Sequence, residues 1–230
     1  MNEDTATFDP AWEAKYRDNP AYRNRYPWSC IVSFVMSWAP RDRPRADVHV
    51  LEVGCGAGNN LWFCAREGFA SAGIDGSASA IDYAKDRFAQ EGLRADLRVG
   101  DFGALPFASH SFDLCIDHAA LSHTTSDGVR RAIAEIHRVL KPGGLFFLNL
   151  YSDRSSSFDR LPDADGVLRN ISKGSIVGGA QAAFYGAAEI RGLLSQGWRI
   201  KQLRHVEEME MSTPDRMVHG EWQAIAARED

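Results

Sequence analysis

The sequence predicts an α/β protein built on a parallel sheet covered by helices. Three observations carry that expectation. From Asp47 onward, short apolar runs alternate with segments of helical periodicity. The run Leu145–Leu150 is apolar throughout, as in a strand buried on both faces. The run His49–Val53 leads directly into Gly54, Gly56 and Gly58, a strand–turn–helix sequence in which the backbone can turn tightly and approach a ligand where a Cβ would collide.

The elements follow in order. The first 40 residues are rich in aromatic side chains, with Trp12 and Tyr16 one helical turn apart. Pro27 to Ala39 is expected to be helical, with Ile31, Phe34, Val35 and Trp38 on its core face. The preceding segment, with Tyr16, Tyr22, Tyr26 and Trp28, is less regular and suits a cover over a cleft, where rings pack on a ligand and hydroxyls add directional contacts. Strand one is His49–Val53. A helix over residues 59–67 turns Leu61, Cys64 and Ala65 inward and closes at Gly68. Strand two is Phe69–Ile74, followed at once by Asp75, and Ser77 caps a helix with Ile81, Ala84 and Phe88 on its buried face. Strands three and four are Leu97–Val99 and Phe112–Ile116. Asp127 is expected to cap the helix carrying Val129, Ile133, Ile136 and Leu140, which stops at Lys141-Pro142-Gly143-Gly144 before the fifth strand. Residues 151–179 break the rhythm with Ser, Asp and Gly and read as an insertion or lid. A helix over Ala187–Ser195 and strands over Trp198–Val206 and Glu221–Ala227 close the chain.

With 230 residues, the expected organisation is one domain: an aromatic helical cap (1–46), a core (47–150), an insertion or lid (151–186) and a C-terminal helix with strands (187–230). Hydrophobic content of 44% and charged content of 25% are those of an ordinary globular chain. No apolar stretch approaches the roughly 18 residues that span a bilayer. The first residues lack a basic region before an apolar core, so a cytoplasmic location is expected. The net charge of −5 and the scattered basic residues argue against nucleic acid as a partner; Arg41, Arg43 and Arg45 are interrupted by Asp42 and Pro44. Cys30, Cys55, Cys64 and Cys115 have no metal-binding spacing and are expected to be reduced thiols. Asp163, Asp165 and Gly166 fail as a calcium loop because Leu161 and Ser172 fall at its first and last ligand positions.

Taken alone, three glycines make a turn as readily as a cradle. Their spacing, Gly-x-Gly-x-Gly followed by Asn59 and Asn60, departs from the Gly-x-Gly-x-x-Gly that seats a pyrophosphate, so a ligand without phosphate is favoured. Asp75 and Asp101 would in isolation serve as turn caps. At the ends of consecutive strands of one open sheet they read as ligands.

These segments together, Val50–Asn60, Gly73-Ile74-Asp75, Gly100–Phe107, Phe112–His123 and Val139–Leu148, resemble the class I methyltransferases that use S-adenosylmethionine, in particular the small-molecule branch similar to ubiquinone-biosynthesis methyltransferases. The resemblance implies a Rossmann-like three-layer sandwich with a seven-stranded, mostly parallel sheet whose last strand is antiparallel. It implies that Gly54, Cys55, Gly56, Gly58 and Asn59 face the methionine end of the cofactor, with Glu52 ordering the loop and the helix N-terminus facing the carboxylate. It assigns Asp75 to the ribose hydroxyls, Gly76 and Ser77 to the flanks of the adenosine, Asp101 to the adenine amino group, Phe102 to the border of the base, and Asp117 with His118 to the vicinity of the donor methyl.

Methyl transfer mainly requires alignment in a dry site, and some acceptors must also lose a proton. His118 and His123 are the candidate bases, a structural role being the alternative for each. Strand four ends in Asp117-His118-Ala119-Ala120, without the Pro-Pro-aromatic motif used on planar amines, which favours a small metabolite as acceptor. Substrate contacts are expected from Tyr16, Tyr22, Tyr26, Trp28 and Tyr151. The leading expectation is a methyltransferase acting on an oxygen or nitrogen of a small molecule, yielding S-adenosylhomocysteine, as a monomer or homodimer. The alternatives are a non-catalytic module that binds these adenosyl ligands and an NAD-dependent oxidoreductase.

Overall fold

Residues 7–178 and 181–230 are described by the computed structural model, so residues 179–180 of the expected lid lie outside the described residues. The strands are β1 His49–Val53, β2 Ala70–Asp75, β3 Asp96–Val99, β4 Phe112–His118, β5 Leu140–Tyr151, β6 Trp198–Met209 and β7 Val218–Arg228. They form one sheet in the order β3-β2-β1-β4-β5-β7-β6. The pairs from β3 through β5 are parallel, and β7 is antiparallel to both β5 and β6. The chain leaves β1 toward β2 and later resumes on its other side at β4. The order therefore reverses between β1 and β4, which opens a crevice beyond the carboxyl ends of these strands.

The helices are α1 Ala11–Asp18, α2 Ser29–Trp38, α3 Asn59–Arg66, α4 Ala78–Gln90, α5 Ser126–Val139 and α6 Ala187–Leu193. On one face of the sheet, Ile133 and Ile136 of α5 and Ile190 of α6 pack with Leu51, Phe146, Leu148 and Ala224. On the other, Ile31, Phe34 and Val35 of α2 pack with Val50, Leu114, Ile116, Phe147 and Ile225. Consecutive strand residues such as Phe146 and Phe147 thus enter opposite cores, which is why these strands read as unbroken apolar runs. Residues 152–186 add a small apolar cluster of Leu168, Ile171, Ile176, Ala182 and Phe184, tied back by bridges Ser152–Tyr185 and Leu168–Ala182.

Three expectations are corrected. The helix expected from Pro27 begins at Ser29, with Trp28 extended at its N-cap. α5 is capped by Thr125, not Asp127: the Thr125 hydroxyl accepts from the Gly128 N–H at 3.2 Å, while Asp127 sits in the first turn and pairs with Arg130. The Lys-Pro-Gly-Gly segment lies inside β5. Leu140 already pairs with Phe112 and Leu145 with Leu114, so residues 141–144 form an irregularity where Gly143 adopts φ 75°.

Phe34 joins the N-terminal cap to the sheet, its ring 5.3 Å from that of Phe147. Phe34→Ala is expected to cost about 3–5 kcal/mol of unfolding free energy in urea titrations; a loss under about 1 kcal/mol would show that α2 does not share the sheet's core.

Candidate active site

The turn after β1 is built around a buried carboxylate. Gly54, Gly56 and Gly58 have φ of 62°, 50° and 73°, and a Cβ on Gly56 would overlap the Tyr16 hydroxyl. Asp75, at the end of β2, accepts from the Gly56 N–H through Oδ2 and from the Ser77 N–H through Oδ1, both at 2.8 Å. Burial pushes its ionisation up to about 6, the two N–H bonds opposing the shift. Glu52, on β1, is buried. Its Oε1 accepts from Asn60 Nδ2 at 2.7 Å, and its Oε2 has no partner among the described residues. Burial pushes Glu52 up to about 8; Asn60 opposes this, and Asp117 and Asp75 reinforce it.

A strap from the N-terminal segment crosses this cradle. Thr7 bonds Asp101 through its N–H at 2.7 Å and through its hydroxyl, and Asp101 also accepts from the Gly103 N–H. The Phe8 ring lies against Gly76, where a Cβ would overlap it. Glu13 accepts from the hydroxyls of Ser77 and Ser79 at 2.6 and 2.5 Å, at the start of α4. These bonds, from Ser77 first and then Ser79, hold the Glu13 carboxyl below its usual range. The strap also reaches the lid: Lys15 Nζ donates to the Gly178 carbonyl at 2.7 Å, and Asp9 accepts from the Gln181 N–H.

From the cradle a cavity of about 1050 Å³ runs past His118 to the upper part of the sheet. The His118 and Trp28 rings stack, with centroids 4.9 Å apart and planes 9° apart. Burial lowers the His118 ionisation, with Glu221 opposing. His123 is committed: Nδ1 donates to the Gln181 carbonyl at 2.8 Å, which leaves Nε2 to accept from the Tyr151 hydroxyl at 3.3 Å, and burial keeps the ring neutral. His219 donates through Nε2 to Glu221 at 3.0 Å, and its Nδ1 accepts from the Ser175 hydroxyl. The second Glu221 oxygen accepts from Asn149. Burial would raise Glu221, but its bond to His219 and the nearby imidazoles hold it low.

The structure thus brings Glu52, Gly54, Cys55, Asn59, Asp75, Gly76, Phe102, His118 and His123 to one cavity, with Tyr16, Tyr22, Trp28 and Tyr151 on its walls. The other expected residues sit around it. Gly58 is the N-cap of α3 and packs on Ala84 and Phe88. Ser77 is the buried cap of α4, its hydroxyl accepting from the Ala80 N–H. Asp101 is engaged by Thr7. Asp117 is fully buried, accepting from the Leu121 N–H at 3.0 Å, and burial pushes it up to about 8. Tyr26 is 69% exposed, its ring near Trp62 and its carbonyl accepting from Asn59. The strap residues Thr7, Phe8 and Glu13, and the strand residues Arg204, His219, Glu221 and Gln223, were not anticipated. A signal for the last three lies in His219, Glu221 and Gln223 alternating with Gly220, Trp222 and Ala224, the period of a strand with one polar face.

The reversed sheet order, the glycine turn and the acids closing β1 and β2 resemble the arrangement of a class I, S-adenosylmethionine-dependent methyltransferase domain. Residues 50–144 match the family model described as a methyltransferase domain. The chain is 30% identical over 134 residues to a ubiquinone biosynthesis O-methyltransferase of Brucella anthropi, covering 58% of this chain and 53% of the relative. It is 34% identical over 146 residues to a sterol 24-C-methyltransferase of Pneumocystis carinii, covering 58% and 37%. The chain spans about half, or less, of the length of the curated relatives it matches. A SAM-dependent methyltransferase structure from Methanosarcina mazei superimposes with a TM-score of 0.69 at 22% identity, over 89% of this chain and 99% of the other, which shows the shared fold.

The cradle fits the methionine end of this cofactor. Glu52 offers an unpartnered buried oxygen to an ammonium, and the glycine turn presents bare backbone that the Tyr16 hydroxyl covers. The ionisations near 6 and 8 give this fit a pH signature. A ligand ammonium beside Glu52 and ligand hydroxyls donating to Asp75 favour the carboxylate forms, so binding releases protons and affinity rises as pH passes through that range. Calorimetry with S-adenosylhomocysteine in buffers of different ionisation enthalpy is expected to show tighter binding and net proton release between about pH 6 and 8; affinity independent of pH would contradict the assignment.

Proposed function

We propose that this protein transfers a methyl group from S-adenosylmethionine to an oxygen or nitrogen of a small-molecule acceptor. One observation carries the reading: a single cavity joins the Glu52–Asp75 cradle to the ring of His118. When bound, the cofactor supplies an activated methyl carbon on a sulfonium sulfur, which leaves with the carbon–sulfur electron pair.

The chain's own residues supply binding, alignment and the proton. In this reading Glu52 meets the ammonium, Asp75 accepts from the ribose hydroxyls, and Phe102 borders the base, while the strap and the lid over 151–186 exclude water. Thr7 must release Asp101 if that carboxylate is to hold the adenine. Asp117, one residue before His118, holds the Leu121 N–H and so fixes the turn that aims the histidine. His118 takes the acceptor's proton. Its depressed ionisation keeps the ring neutral and able to accept at neutral pH. His123, with both nitrogens engaged, ties α1 to the lid, its ring centroid 4.8 Å from that of Trp12. The negative net charge supports an acceptor other than nucleic acid. The free thiols, three of them buried, suit a reducing compartment such as the cytoplasm. No helix among the described residues is long and apolar enough to cross a membrane.

Asp75→Ala is expected to weaken S-adenosylhomocysteine binding by about 1.5–3 kcal/mol, the scale of hydrogen bonds to a charged group; unchanged affinity by calorimetry would remove Asp75 from the site. His118→Ala is expected to bind the same ligand normally but turn over about 10²–10⁴-fold more slowly. Full turnover with the wild-type pH profile would exclude it as the base. Binding of both adenosyl ligands with no methylation of any acceptor would favour the non-catalytic module instead.

A further inference from the structure

The sheet face that carries His118 changes character along its length. Below, Leu114 and Ile116 are covered by α2, and Phe147 and Ile225, also packed with α2, form the apolar lower wall of the cavity. Above, strand register sets a row of planar hydrogen-bonding side chains: His118 of β4 pairs with Asn149 of β5, Asn149 with Gln223 of β7, and Gln223 with Arg204 of β6. Paired residues share a face, so the row crosses four adjacent strands, about 14 Å at ordinary strand spacing. Glu221 sits two residues from Gln223 on the same face. Through Asn149 and His219 it fixes the floor and is itself consumed in doing so.

Gln223, Arg204 and Gln202 line the cavity, and no side-chain hydrogen bond or ion pair of any of them is found among the described residues. Together they offer amide donors, amide acceptors and a guanidinium fork. At the near end, the stacked Trp28 and His118 supply a flat apolar surface.

We infer that this row binds the methyl acceptor, and that the acceptor is a polyhydroxylated molecule, a glycosyl unit with vicinal hydroxyls, methylated on an oxygen beside His118. The inference rests on the methyltransferase reading above and adds the acceptor class to it. Each sugar hydroxyl both donates and accepts, which matches amides and a guanidinium in adjacent positions, and the C–H face of the ring suits the Trp28 edge of the cavity. A sterol or prenylated ring would strip water from three uncommitted polar side chains and return no hydrogen bonds. A phosphate-rich polymer would meet Glu208 and Glu221 on the same face as Arg204, leaving no net positive field.

The test uses the full chain, methyl-labelled S-adenosylmethionine, and an aqueous extract of cells that carry the protein, divided by size into small metabolites and polymers. Products are hydrolysed, reduced and acetylated, then read by mass spectrometry. The expected result is label in mono-O-methyl alditol acetates, and the size fraction tells free from polymeric glycosyl acceptors. Label in products that yield no alditol would overturn the acceptor class while leaving methyl transfer standing. No label in any product, with S-adenosylhomocysteine still bound, would overturn both. On the labelled acceptor, Gln223→Ala and Arg204→Ala are each expected to raise KM about 10-fold or more with kcat and S-adenosylhomocysteine affinity little changed. Unchanged KM in both variants would remove the row from acceptor binding.

Discussion

The Asp75 carboxylate joins two crossovers of the sheet. One oxygen holds the Gly56 N–H in the turn after β1, and the other holds the Ser77 N–H where α4 begins. A buried anion is costly unless backbone donors surround it, and here the donors are the two loops that a ligand must approach. The carboxylate therefore sets the shape of the cradle before anything binds. Glu52 depends on it in turn: both acids stand toward the ends of neighbouring strands, and Asp75 raises the cost of ionising Glu52. The pair is poised to gain from a positive charge.

Around that point the chain divides its work by face and by depth. The lower sheet is apolar on both sides and holds α2 against one face and α5 against the other. Toward the carboxyl ends the α2 side turns polar, from Glu52 through His118 to Gln223 and Arg204. Stability and function thus occupy different heights of the same strands, and the antiparallel β7 brings its first residues, His219 and Glu221, to the functional end. The strap closes the other wall, with Thr7 on Asp101 and Glu13 on Ser77 and Ser79, and it ties the cradle to the lid through Lys15 and Asp9.

Features governed by short-range rules were legible in the sequence. β1 lies where its apolar run and following glycines put it, and Ser77 caps α4 as its position before an amphipathic run requires. Competition between neighbouring signals misled in two places. Thr125 and Asp127 are both good caps, and the one with helical residues directly after it prevailed. Pro142 and Gly143 look like a stop, yet β4 pairs with Leu140 before them and Leu145 after them and so holds β5 through the irregularity. The acids at strand ends were legible because a motif orders them. The engagement of Asp101 by Thr7, the burial of Asp117, and the register that aligns Gln223 with Asn149 and Arg204 depend on contacts between residues far apart in the chain, which periodicity does not encode.

The claim on which all this rests is that the cavity beyond β1 and β2 seats an S-adenosyl ligand. A crystal structure of the full chain with S-adenosylhomocysteine tests it most directly. The ligand is expected with its amino-acid end at Glu52 and the glycine turn and its ribose at Asp75. Ligand density elsewhere on the protein, with the cradle still filled by Phe8 and Tyr16, would contradict it.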